Sequence, residues 1–188
     1  MAFRTNLTRV FFVAALAMGC GIGVGVVQAA TDGTLGVSST GRSNITITVQ
    51  RELRVNNLND IPLGTFDAAT APLLGSDTLC VYDNGLSGYQ VTLSSGNGTG
   101  QFEMRNGPSV VTYAVEFDDS GTGANYVTAT EGAPITGRTN ASTSNDGCVT
   151  LGADNARIRI RVNASDVSGS STNGLHTDTL SVVVAPSP

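Results

Sequence analysis

The longest alternating pattern in the chain runs from Thr34 to Gln50, with the sequence TLGVSSTGRSNITITVQ. One face of this segment carries every large aliphatic residue, and the other carries small or polar residues and Arg42. A period of two is typical of a β-strand with one apolar face. Seventeen residues would extend over roughly 55 Å, about three times an ordinary strand. We therefore expect the segment to lie along an apolar groove. The aliphatic residues are Leu35, Val37, Ile45, Ile47 and Val49.

Shorter alternating segments follow along the rest of the chain. Strands are predicted at residues 52–55, 78–82, 89–94, 102–104, 111–118, 157–162 and 177–184, with weaker ones at 126–129 and 134–135. Residues 67–75 are predicted to form a loop, Asp83-Asn84-Gly85 a hairpin turn, and residues 164–169 a single helical turn. Many short strands with frequent turn signals, and no helical period after residue 29, favour an all-β domain of the sandwich type.

Residues 1–29 have the pattern of a secretory signal peptide. Arg4 and Arg9 precede an apolar run, and Val27-Gln28-Ala29 places small residues at −3 and −1. We expect cleavage before Ala30, one domain over residues 30–188, and no retained membrane span. Two alternatives stay open: a retained membrane anchor, and lipidation at Cys20.

Removal of the leader would leave two cysteines, Cys80 and Cys148. In an exported protein, two cysteines favour a disulfide over a metal site, because a metal would need further ligands. We therefore predict a structural disulfide between them.

The remaining composition disfavours several classes of function. The net charge is −5, the pI is about 4.6 and there is no lysine, so no basic patch for nucleic acid is expected. His176 is the only histidine, and no nucleophile elbow or phosphate-binding loop is present. We expect neither catalysis nor a cofactor or metal. Asp118-Asp119-Ser120-Gly121 is interpreted as a turn rather than a calcium site.

Three arginines alternate with Ile158, Ile160 and Val162 between residues 157 and 162. We expect the apolar residues to face the core. The arginines are interpreted as a solvated face whose charges oppose edge-to-edge pairing. A surface for an acidic partner is the alternative.

The order of several short motifs resembles one known family. From about Gly33 to Pro186 the chain is similar to the spore coat protein U-like domain, the pilin domain of archaic chaperone–usher pili in Gram-negative bacteria. The segments that carry the resemblance are Asn44 to Val49, Leu63 to Phe66, Cys80 to Asn84, Gly88 to Val91, Tyr113 to Phe117, Cys148, and His176 to Val184.

The resemblance implies an immunoglobulin-like sandwich that lacks its last strand and is completed by a donor strand from another polypeptide. The partners it implies are a periplasmic pilus chaperone, then an outer-membrane usher and neighbouring pilin subunits, in a fibre exported to the cell surface. Residues 30–50 would be the donor or first strand, acting through the five aliphatic residues given above. The acceptor groove would be lined by Tyr113, Val115, Phe117, Leu180, Val182 and Val184.

Two features depart from the family pattern and leave alternatives open. Residues 55–63 lack the cysteine found there in some members, and residues 30–50 are not cleanly divided into a donor and a first strand. The subunit could be self-complemented or capping, or the same five aliphatic residues could belong to the first strand of a complete monomeric sandwich. A monomeric adhesin or lectin-like module is the alternative function, for which the sequence offers Tyr126 and the 118–123 turn.

Overall fold

The structure is a computed structural model and describes residues 30–67, 72–85, 88–143, 148, 154–167 and 173–188. The predicted leader and Cys20 lie outside the described residues. The chain divides into two units, one ending at Thr48 and one beginning at Val49.

The described part of the first unit, residues 30–48, contains no strand. Its backbone bends at residues 35–38, and Thr31 and Arg42 pair through N–O contacts of 3.0 and 2.9 Å. This pair closes a loop that contains Leu35 and Val37. The continuous strand predicted over residues 34–50 is therefore not formed in this unit. An extended strand needs a neighbour along its length, whereas in the described part of this unit the backbone pairing is limited to Thr31 and Arg42.

The second unit, residues 49–188, is all-β, as the sequence predicts, and every strand pair in it is antiparallel. Its strands are β1 (Leu53–Asn56), β2 (Leu73–Asp83), β3 (Tyr89–Ser95), β4 (Glu103–Asn106), β5 (Ser109–Thr112), β6 (Ala114–Asp118), β7 (Val127–Thr128), β8 (Pro134–Arg138), β9 (Ala156–Val162) and β10 (Leu180–Pro186). A single turn of helix, α1 (Ala164–Val167), follows β9 and confirms the helical turn predicted there.

Two larger sheets share one core. The five-stranded sheet has the order β1-β2-β9-β6-β7, the three-stranded sheet has the order β10-β3-β8, and β4 and β5 form a separate hairpin. The core includes alternate residues of β9 and β3, which are buried in strict alternation with outward-facing neighbours. Ile158, Ile160 and Val162 are buried, which confirms the inward face predicted for β9.

Strand β2 is longer than predicted because it has two partners. Leu73 to Leu79 pair with β9, and Cys80 to Asp83 pair with β1 on the other edge. The loop predicted over residues 67–75 therefore extends too far, because Leu73, Leu74 and Gly75 belong to β2, where long-range pairing overrides the weak strand propensity around Gly75. Residues 68–71 lie outside the described part.

The turn at Asp83 does not close a hairpin, because β2 and β3 belong to different sheets. Arg51 binds the Asp83 carboxylate through Nε at 2.9 Å and Nη2 at 2.5 Å, and the Gly85 N–H donates to it at 2.8 Å. The Asp83 carboxylate thereby stabilises the segment that leads from β2 in one sheet towards β3 in the other, and the hairpin predicted there is wrong.

The single strand predicted over residues 111–118 is divided at Tyr113. β5 pairs with β4, whereas β6 pairs with β9 and β7. The period of two continues through the break, so the alternation alone gave no sign of it.

Cys80 and Cys148 are bonded, with a distance of 2.01 Å between their sulfur atoms. Both residues are fully buried, and the bond joins β2 to a position 68 residues later. This cross-link ties β2, next to the end strand β1, to the segment that precedes β9.

Candidate functional site

The end strands of the two larger sheets, β1 and β10, approach each other, with Cα atoms within 8 Å. Five aliphatic side chains from these strands pack against the core but stay only half-buried. We call these two strands and their half-buried side chains the open edge. Its side chains are Leu53 and Val55 of β1 and Leu180, Val182 and Val184 of β10.

The half-burial of these side chains contrasts with their neighbours on β3. Val182 lies opposite Leu93, and Val184 lies opposite Val91. Leu93 and Val91 are fully buried, whereas the two β10 valines are not. The core is therefore shielded from solvent at β3 and partly open to solvent along β10.

The backbone of β10 is also exposed to further pairing. Its single sheet neighbour among the described residues is β3. Alternate residues of an edge strand point their N–H and C=O groups away from the sheet. Such edges are usually blunted by charge, proline or short length. The segment from Leu180 to Ala185 has neither charge nor proline, and Pro186 comes only at its end.

The other end strands of the two larger sheets are better protected. β7 has two residues, β8 carries Pro134 and Arg138, and β1 carries Arg54. Among the described strands, β10 is thus the long, uncharged end strand of the two larger sheets and the best template for an added strand.

Asp178 anchors the start of β10 to two other parts of the fold. Its Oδ2 atom accepts hydrogen bonds from Tyr113 Oη at 2.5 Å and from Ser95 Oγ at 2.6 Å, and its Oδ1 atom accepts from the Asn97 N–H at 3.1 Å. Burial raises the pKa of Tyr113, and the bond to Asp178 raises it further. The tyrosine therefore stays a donor at neutral pH and holds β10 in register.

The predicted donor residues are highly exposed. Leu35 and Val37 lie in the loop closed by Thr31 and Arg42, and Ile45, Ile47 and Val49 lie in the irregular segment that follows it. Their exposed fractions are all at least 76% of the reference value. Alternating aliphatic residues left in solvent typically mark an interaction surface.

The predicted acceptor residues fall into two sets. Leu180, Val182 and Val184 line the open edge. Val115 and Phe117 are fully buried on β6, three places from β1 in the sheet order.

Tyr113 is also buried and bonds Asp178. In the structure, the strand beside β10 at the open edge is β1, which contributes Leu53 and Val55. The alternation at residues 52–55 marks these two as one strand face, but nothing local shows that the strand ends a sheet.

The turn at residues 118–121, which the sequence also offers as a possible calcium site, is closed by its own hydrogen bonds. The Asp118 carboxylate accepts hydrogen bonds from Ser120 Oγ at 2.7 Å and from the N–H groups of Ser120 and Gly123 at 2.8 and 2.6 Å. Burial alone would raise the pKa of Asp118, but these bonds lower it below its usual value. A carboxylate that faces N–H and O–H donors has the geometry of a turn.

His176 contacts Ser109, with 2.9 Å between Nε2 and Oγ. Its Nδ1 lies 3.3 Å from the carbonyl oxygen of Gly174, where a triad would place a carboxylate. Ser109 is buried. In the described part of the chain no three His, Cys, Asp or Glu side chains are grouped as a metal site would require.

No helix within the described ranges combines the length and the apolar character that a membrane span requires. A scan against models of known protein families and a search of the curated proteins both found no match to this chain. The family resemblance therefore rests on the motifs quoted for it.

Proposed function

We propose that this chain is a non-catalytic structural subunit of a surface fibre, joined to its neighbour by strand addition at the open edge. The observation that carries the proposal is the state of β10, an uncharged end strand whose core-facing valines are half-buried. An added strand would pair the free backbone groups of β10 and cover those side chains.

The donor in this proposal is the segment around Ile45, Ile47 and Val49 of a second copy. It has the alternation of a strand, it carries no charge from Ser43 to Gln50, and its aliphatic side chains are exposed. Complete burial of a side chain of this size contributes about 1.5–3 kcal/mol. Three of them would contribute on the order of 5–9 kcal/mol before the cost of ordering the segment.

The spacing of the open edge sets a requirement on this reaction. Neighbouring strands lie about 4.8 Å apart, so a strand paired between β1 and β10 needs about 9.5 Å. Cα atoms of the two strands approach within 8 Å. We therefore expect β1 and β10 to separate as the donor enters.

The fold proposed with this function is an incomplete immunoglobulin-like sandwich of the pilin type. Two antiparallel sheets around one core and an uncovered edge are its supporting features. By its resemblance to the spore coat protein U-like family, we place the subunit in the chaperone–usher route. A periplasmic chaperone would cover the open edge before an outer-membrane usher exchanges it for the next subunit.

The proposal is tested with two forms of the chain, residues 30–188 and residues 49–188. We expect the longer form to polymerise and the shorter one to remain a monomer of lower thermal stability. Adding a peptide of residues 43–50 should raise the melting temperature of the shorter form. A peptide with aspartate in place of Ile45 and Ile47 is the matched control. Light scattering and thermal unfolding report the two effects.

Two results would refute the proposal. Equal stability of both forms as monomers would mean that residues 30–48 add nothing to the fold. A monomeric longer form that is far more stable than the shorter one would mean that the segment fills its own open edge, as in a self-complemented subunit.

A further inference from the structure

A concave pocket lies on the outer face of the five-stranded sheet, with a volume of about 290 Å3. β2, β9 and the turn after β6 form its walls. We call it the arginine pocket. Its lining side chains include Leu74, Ser76, Thr122, Tyr126, Arg157 and Arg159.

Arg157 brings an unmatched positive charge to this pocket. Its Nε atom is buried without a hydrogen-bond partner, and the salt bridges found among the described residues do not include it. Gly123 lies against the guanidinium, where a Cβ atom would come within 3.2 Å of Nη1. Arg157 lines the pocket and its side chain has no hydrogen bond or salt bridge among the described residues, so its guanidinium is available to pair with an acidic group there.

Arg159, two residues along the same strand, already has partners. Its Nε bonds Glu116 at 2.5 Å, and its guanidinium lies 3.9 Å above the ring of Tyr126. The bond to Glu116 raises the pKa of Arg159. Glu116 therefore balances one arginine and leaves the charge of Arg157 for a ligand.

The rest of the lining suits a hydroxylated ligand. Ser76 and Thr122 contribute hydroxyl groups, and the exposed side chain of Leu74 and the ring of Tyr126 contribute apolar surface. We propose that the arginine pocket binds an acidic monosaccharide unit of a glycan, with its carboxylate on Arg157. The guanidinium fork matches a carboxylate, and the hydroxyls match the sugar ring.

The residues that the sequence offers for a lectin-like module lie at this pocket. In the fold, Tyr126 and residues Thr122 and Gly123 of the 118–123 turn line the same pocket as Arg157. The arginine pocket lies on the face of the five-stranded sheet, whereas the open edge is formed by the end strands β1 and β10. The two proposals therefore concern different surfaces.

Calorimetric titration of the purified chain with glucuronic acid, glucose and acetate tests this inference. Glucose replaces the carboxylate of glucuronic acid by a hydroxymethyl group, and acetate keeps only the carboxylate. We expect glucuronic acid to bind, and glucose and acetate to bind at least about tenfold more weakly. Galacturonic acid serves as a second acidic sugar.

Arg157→Gln should weaken glucuronic acid binding by about tenfold or more, since it removes a charge-assisted hydrogen bond. Arg161→Gln is the matched control, because Arg161 is exposed on the same strand, bonds Asn163 and does not line the pocket. If Arg157→Gln does not fold, Ser76→Val tests the hydroxyl contribution at an exposed strand position.

The inference is overturned if neither acidic sugar binds, or if acetate binds as tightly as glucuronic acid. An equal loss of binding in Arg161→Gln would overturn it as well, because the effect would then come from the general charge of β9.

Discussion

Val91 and Val184 lie opposite each other on adjacent strands, and only Val91 is fully buried. The two residues are chemically identical and face the same core. Their difference in burial therefore shows that the core is shielded from solvent at β3 and only partly shielded at β10. A strand added beyond β10 would remove the difference.

This pair gives a direct test of the uncovered core. In a chain of residues 49–188, Val91→Ala should lower the free energy of unfolding by about 2 kcal/mol. Val184→Ala should lower it by less than half as much, because part of that side chain is already in water. Chemical denaturation measures both. With the donor peptide bound, the two losses should become similar, and equal losses in the free monomer would show that the edge is already covered.

The face of the donor segment can be tested with two neighbouring residues. Ile47→Asp should prevent polymerisation, because a charge would enter the apolar cover of the open edge. Thr48→Asp, on the opposite face of the alternation, should reduce it far less. Fibre yield by sedimentation reports the difference. Polymers that form equally from both variants would refute the strand assignment.

Acid should weaken the connection between the two sheets. Burial alone would raise the pKa of Asp83, but hydrogen bonds from Arg51 and Gly85 lower it below the usual value near 3.9. A lowered pKa in the folded state contributes stability above the unfolded pKa, and this contribution is lost as the pH falls through the folded value. The difference in melting temperature between the wild type and Asp83→Asn should therefore be largest near neutral pH and shrink below about pH 4. A difference that stays constant from pH 7 to pH 2 would contradict this origin.

Reduction of the disulfide should destabilise the fold substantially. In the loop-entropy treatment, closing a loop of 68 residues contributes about 4 kcal/mol. The Cys80→Ala/Cys148→Ala double variant should lose most of that amount in denaturant unfolding. Adding a reductant should bring the wild type to the same midpoint and leave the double variant unchanged.

The sequence predicts the all-β class and the inward face of β9 because alternation is a local property. It could not predict the break at Tyr113, since both halves keep the same period and differ only in the strands with which they pair. The same limit applies to the proposed site. The alternation over residues 177–184 predicts that Val182 and Val184 share one strand face, but the half-burial of Leu53 depends on which strands end the two sheets.

Arg157 shows a second kind of limit. Its spacing with Arg159 and Arg161 predicts a solvated stripe, and Arg161 is exposed as expected. The close approach of Gly123 to the Arg157 guanidinium depends on how the turn after β6 folds against β9. The alternation of β9 contains no information about that turn.

The uncharged edge of β10 also has a kinetic consequence. A strand without gatekeeper residues does not discriminate strongly between the correct donor and any other extended segment. In the proposed route, capture by a chaperone and coalescence with another unprotected copy would then compete for the same surface. The rate of the second reaction would rise with the square of the subunit concentration, and the rate of the first only in proportion to it. The proportion of subunits that enter a fibre would thus depend on how quickly each one is captured after it folds, as well as on how tightly it is finally held.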